Sequence, residues 1–96
     1  SEIELLNVTE VYGTIAVYYQ NVLGSLYFSS SIGVLQNLSV GDVMFTDTQL
    51  TTAPVAGTYY QTGSTSSDTY CTDSGYVMAM VLNSSGTITS ISCGQP

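Results

Sequence analysis

Short runs of β-favouring residues recur along this chain, each followed by a cluster of Gly, Asn, Asp, Ser or Pro. The runs span residues 2–9, 11–20, 24–29, 33–39, 42–46, 57–61, 67–71, 76–82 and 87–93. Thr, Val, Ile, Tyr and Ser dominate them, side chains that suit a pleated surface, while the strong helix formers Ala and Glu are scarce and Lys is missing. Between the runs lie turn sequences: 21–24, Val40-Gly41-Asp42, 53–57, and the four-residue loops Thr72-Asp73-Ser74-Gly75 and Asn83-Ser84-Ser85-Gly86. The small, polar stretch 63–67 reads as an exposed loop. This rhythm predicts an all-β fold, a small antiparallel β-sandwich of immunoglobulin-like or jelly-roll-like type. No repeat or linker divides residues 1–96, so they form one domain.

Charge narrows the range of functions. The chain has no Lys, Arg or His, and its formal charge of -7 comes entirely from seven Asp and Glu residues. No side-chain ion pair can form within it. Nucleic-acid affinity rests mainly on phosphate neutralisation by Lys and Arg, so a nucleic-acid partner is excluded as an expectation. A polybasic membrane contact, a P-loop and a histidine triad fail for the same reason. No apolar run approaches the length of a membrane span, so no membrane insertion is expected.

The remaining candidates for chemistry are carboxylates, hydroxyls and two thiols. Asp42 with Asp47, or Asp68 with Asp73, are candidate calcium ligands, but the alternating D-x-D-x-D-G spacing is absent. Turn-forming aspartates that bond their own backbone are the better reading. No nucleophile, base and orienting group can be assembled, so neither an enzyme nor a cofactor or metal site is expected. Three N-x-S/T triplets begin at Asn7, Asn37 and Asn83, which chance alone explains in a chain this rich in Ser and Thr.

The abundance of Ser, Thr, Tyr and Gly around just two cysteines points to a Cys71–Cys93 disulfide, with free buried thiols as the alternative. The bond is in tension with a simple meander. Hairpins around 72–75 and 83–86 would place both cysteines opposite Tyr76, two strand spacings or roughly 9–10 Å apart, beyond the roughly 7 Å that bridged Cα atoms allow. The run 67–71 must therefore bend away to another sheet if the bridge forms.

Parity sorts the strand faces. In 11–20, Val11, Gly13, Ile15, Val17 and Tyr19 form a core face, opposite Tyr12, Thr14, Ala16, Tyr18 and Gln20. In 76–82 both faces are apolar: Tyr76, Met78, Met80 and Leu82 on one, Val77, Ala79 and Val81 on the other. A strand in a small antiparallel sheet normally shows one polar face, so a neighbouring molecule or loop is expected to cover the second. The pairs Tyr18-Tyr19, Tyr27-Phe28 and Tyr59-Tyr60 each send one ring to each face. Tyr18, Tyr27, Tyr59, Tyr60, Val77 and Val81 are accordingly the candidate interface residues, since tyrosine gives large amphipathic contact area at low entropic cost.

The stretch Gly41-Asp42-Val43-Met44-Phe45-Thr46-Asp47-Thr48-Gln49-Leu50-Thr51-Thr52-Ala53-Pro54, its sequel Gly57-Thr58-Tyr59-Tyr60 and the ending Asn83-Ser84-Ser85-Gly86-Thr87-Ile88-Thr89-Ser90-Ile91-Ser92-Cys93 resemble a β-rich module. That module is common at the ends of cell-surface proteins and phage appendage proteins of the Bacteroidota. The resemblance covers the second half of the chain, with Phe45 where the pattern has Tyr and Ala53 inserted before Pro54. It implies an extracellular setting, on a cell or virion surface, and no catalytic residues. The expected function is a structural or adhesive subunit of a filament or fibre. Its expected partners are further copies of itself or neighbouring domains, and the 2–9 edge is available for β pairing. A monomeric module that binds a cell-surface glycan is the alternative.

Overall fold

A computed structural model describes residues 12–62, 69–73 and 75–95. The expected strand 2–9 lies outside these residues. Five strands form: β1 (Tyr12–Tyr19), β2 (Val22–Ser29), β3 (Gly57–Gln61), β4 (Val77–Leu82) and β5 (Ile88–Gly94). The fold is all-β, a single antiparallel sheet in the order β2-β1-β3-β4-β5. A second sheet packed against the first, as a sandwich requires, is not seen among the described residues.

The β1–β2 hairpin closes tighter than the sequence suggests. Gln20 and Asn21 have φ of 50° and 66°, so these two residues alone make the turn and Tyr19 pairs with Val22. Positive φ at both central positions matches the right-handed twist of the strands, and Asn tolerates it. The Tyr18 hydroxyl donates to Asn21 Oδ1 at 2.8 Å. On the opposite side of the hairpin Phe28 crosses Gly13, where a Cβ would lie 2.3 Å from the ring.

The expected strand 33–39 does not form: a 3₁₀ turn at Ser30–Ile32 precedes it and a second, Leu35–Asn37, occupies its middle. Local bonds outcompete a ladder here. Ser29 Oγ accepts from the Ser31 N–H, Asn37 Nδ2 donates to Ile32 O, and Gly33 sits at φ 95°. Three-residue spacing then aims Leu35 and Leu38 together into the core.

Residues 42–46 form isolated bridges instead of the expected strand, yet they join the two edges of the sheet. Phe45 and Tyr27 exchange both backbone hydrogen bonds at 2.8 Å, and Met44 N–H donates to Gly86 O at 2.8 Å. Ile88 N–H in turn donates to Asp42 O at 2.8 Å. The hydrogen-bond circuit thus runs from β2 through the sheet to β5 and back across 41–45. Closure of this kind removes part of each exposed edge. Ile15, Val17, Leu26, Phe28, Met44, Tyr59, Met78, Met80, Leu82 and Ile88 fill the interior.

Cys71 and Cys93 are bridged, with Cα atoms 5.8 Å apart. The meander conflict disappears because residues 69–71 are not a strand. They leave the sheet and cross toward the 3₁₀ region: Tyr70 N–H donates to Gln61 Oε1 at 3.0 Å and its hydroxyl to Leu38 O at 3.1 Å. Gln36 Nε2 donates to Thr69 O. The expected bend is therefore present, directed across the end of the one sheet.

Candidate interaction face

On β4 the period-2 rule operates cleanly. Met78, Met80 and Leu82 are buried, while Val77, Ala79 and Val81 face outward and stay half-exposed. β3 inserts between β1 and β4, which sets Tyr60 beside Tyr18 on one side and Ala79 on the other. Ala79 in turn pairs with Ser92, and Val77 with Gly94. These six residues line an open groove of about 600 Å³ on the outer side of the sheet. None is charged, and neither is any other residue of β1–β5.

Five of the six candidates project from this face of the sheet. Tyr18, Tyr60 and Val77 line the groove, and Val81 continues it one register step along, opposite Thr58 and Ser90. Tyr60 is 46% exposed. Tyr27 projects from the same face at the far end of β2, away from the groove, paired with Thr14 and edge-to-face with Tyr12 at 5.4 Å between ring centroids.

Tyr59 is a correction. As the inward partner of the Tyr59-Tyr60 pair it is buried at 5% exposure, stacked on Tyr19 with centroids 4.4 Å apart. Its hydroxyl donates to Val55 O at 2.6 Å. Burial, with the neighbouring Tyr19 adding to it, pushes the Tyr59 hydroxyl above its ordinary pKa. It is a core residue, not a contact surface.

The aspartates organise loops. Asp47 accepts from the Thr51 and Thr52 N–H groups at 3.0 Å each and from the Thr51 hydroxyl. That hydroxyl bond is the main cause of its lowered pKa, opposed by desolvation and helped by the two backbone donors. Asp42 Oδ2 accepts from Ser39 N–H at 2.9 Å. Asp73 is exposed, and Asp68 lies outside the described residues. Asn37 and Asn83 also bond locally, Asn83 Oδ1 accepting from the Ser85 and Thr87 N–H groups.

A second opening was not foreseen from the sequence. Below the Tyr27–Phe45 bridge the chain at 46–55 swings away from β2 and leaves a slit of about 230 Å³, whose lining includes Val17, Gly24, Leu26, Pro54 and Tyr59. Val22, Leu23 and Val55 at its rim are 65%, 70% and 69% exposed. Gly24 faces into this space, where a Cβ would meet no atom within 4 Å. A missing side chain carries no signal in sequence, and residues 22–23 read there as part of a turn.

No protein family, curated protein or solved structure matches this chain.

Proposed function

We propose that this chain is a structural, adhesive subunit of an extracellular filament or phage fibre, and that it assembles through the outer face of its sheet. The observation that carries this reading is the uncharged groove of Tyr18, Tyr60, Val77 and Ala79. A water-facing sheet surface ordinarily carries mixed charge, and a contiguous face of aromatic and aliphatic side chains suits a protein contact. With no cation in the chain, subunits of this kind join through apolar burial and hydrogen bonds, not through ion pairs. The Cys71–Cys93 disulfide is compatible with an oxidising, extracellular setting.

Light scattering across a concentration series, with negative-stain imaging, tests the reading. Growth into filaments or discrete oligomers is expected, and Val77→Asp with Val81→Asp should give a folded chain that no longer associates through this face. A native chain that stays monomeric at high concentration overturns it. One observation favours the second reading, a glycan-binding module. The exposed Tyr60 ring lies along an uncharged groove with the Ser92 hydroxyl, a surface suited to a neutral sugar. Saturable glycan binding by a monomer, lost in Tyr60→Ala, would establish that alternative.

A further inference from the structure

We infer that the free edge of β2 at residues 22–26, with the slit beneath it, accepts a β-strand formed by residues 1–11 of a second copy of this chain. The inference rests on the reading of the chain as an assembling subunit and names the contact that would make its assembly directional.

The acceptor is built from the described residues. Tyr27 turns its N–H and C=O away from β1 and toward Phe45, so by alternation Leu23 and Ser25 present theirs to the same outer edge. Among the described residues nothing pairs with that edge below Tyr27. It also lacks the usual protections of an edge strand: β2 has no charge, no proline and no bulge. Beside it, the empty inward position at Gly24 opens the slit to Val17, Leu26 and Tyr59. Unpaired backbone next to a vacant apolar slot is what strand addition requires: main-chain bonds for affinity, a pocket for alternate side chains.

The donor is the segment that precedes β1, Ser1-Glu2-Ile3-Glu4-Leu5-Leu6-Asn7-Val8-Thr9-Glu10-Val11. It contains neither Gly nor Pro. In an extended conformation Ile3, Leu5, Asn7, Thr9 and Val11 share an uncharged face, while all three glutamates fall on the other. Ile3 and Leu5 suit the slit, leaving Glu2, Glu4 and Glu10 to water. At about 3.3 Å per residue the segment spans roughly 36 Å, well beyond the roughly 17 Å of a five-residue edge.

Geometry favours a second copy over the chain's own segment. Tyr12 pairs with Ser29, at the end of the hairpin remote from the Gln20-Asn21 turn, whereas the acceptor edge begins beside that turn. In its own copy the segment would have to reverse direction and pass the Tyr27–Phe45 bridge to reach residues 22–26. A neighbouring copy needs no reversal. Donor and acceptor are different surfaces, so the contact is head-to-tail and propagates into a filament unless it closes into a ring.

A labelled peptide of residues 1–11 provides the test, titrated into the full chain carrying Ile3→Asp and Leu5→Asp so that its own donor does not compete. Saturable binding is expected, weakened at least about tenfold by adding Gly24→Val, which fills the slit without straining the strand. Adding Val77→Asp and Val81→Asp instead should leave it unchanged, which separates this contact from the outer face. As a second check, Ser25→Pro deletes one outward N–H and spares the β1 ladder. With folding confirmed by its thermal melt, and with Val77→Asp and Val81→Asp added to silence the outer face, it should block polymerisation. Mixed with the Ile3→Asp, Leu5→Asp chain in the same outer-face background, it should form a one-to-one dimer that neither variant forms alone. Absence of peptide binding, or binding indifferent to Gly24→Val, overturns the inference even if the outer face still mediates assembly.

Discussion

The sheet and the loops of this protein divide its chemistry between them. Strands β1–β5 hold no Asp or Glu, on either face, while the described loops hold Asp42, Asp47 and Asp73. In the strands, polar character comes only from hydroxyls, a glutamine and backbone. In the loops, carboxylates accept hydrogen bonds from nearby N–H groups, as Asp42 does from Ser39 and Asp47 from Thr51 and Thr52. The difference shows where negative charge is tolerated in a chain with no cation to neutralise it: at turns, where backbone donors and water replace a counterion, and not on a surface proposed to meet another molecule.

The comparison breaks most violently if charge is moved into the sheet. Met78 and Met80 are both fully buried, so Met78→Asp with Met80→Asp places carboxylates where no donor waits. An unpaired buried charge costs several kcal/mol, comparable with a small domain's whole stability, so this pair should abolish the cooperative melt. Val77→Asp with Val81→Asp puts the same charges on the outer face of the same strand. Circular dichroism should show that variant folded, with assembly through the outer face lost. If both pairs behave alike, the two faces of β4 are not the separate surfaces described here.

Next in size is the covalent tie between the regions, since Cys71 lies in a loop and Cys93 in β5. Replacing both with Ser should lower stability by about 3 kcal/mol on the chain-entropy account of a loop this long. Denaturant melts of the native and double-Ser chains measure it, and thiol titration of the unfolded, unreduced native chain should find no free thiol. A smaller effect contrasts a neutral loop with the charged ones. Asn83 Oδ1 holds the Ser85 and Thr87 N–H groups at 2.9 and 3.0 Å, and Gly86 takes φ 82° to complete the turn. Asn83→Ala should cost about 1 kcal/mol, and Gly86→Ala more, because a Cβ there would come within 2.6 Å of Met44 O.

How much of this was legible in the sequence follows from the range of each interaction. The alternation in β4 and the Asn83 turn depend on neighbours a few residues away, and both read correctly. So did the Cys71–Cys93 pairing, because two cysteines leave one partner each. The segment 33–39 misled, since Val34, Leu35 and Leu38 look strand-like, while the local bonds of Ser29, Gly33 and Asn37 decide its shape. Closure of the sheet by 41–45 joins residues far apart in sequence, and no local pattern announces it. For the candidate face, parity sent one ring of Tyr59-Tyr60 inward without saying which. The insertion of β3 between β1 and β4 set the face and brought Tyr60 to Tyr18.

The smallest predicted effect tests the loop side of the comparison by titration. The hydrogen bond from the Thr51 hydroxyl, with the N–H groups of Thr51 and Thr52, holds Asp47 below the ordinary aspartate value of 3.8. A folded-state pKa below the unfolded one means that folding favours the ionised carboxylate. The contribution is therefore complete above the unfolded value and declines as pH falls through the lowered folded one. Tyr59 has the opposite sign: burial raises it above 10.0, so its contribution is complete below that pH and declines as pH rises through the folded value. Asp47→Asn keeps the side-chain shape and removes the charge. The gap in melting temperature between native and Asp47→Asn chains should be constant from neutral pH down to about pH 5 and close below the ordinary aspartate value. The parallel gap for Tyr59→Phe should stay constant across that acid range and change only in alkali. Because Asp47 is solvent-screened, its gap should be the smallest of the effects predicted here, and salt should shrink it further. An Asp47 gap that persists undiminished at the acid end would mean the loop is held by the shape of residue 47 and not by its charge, and the contrast between acidic loops and neutral sheet would then lose its energetic basis at that position.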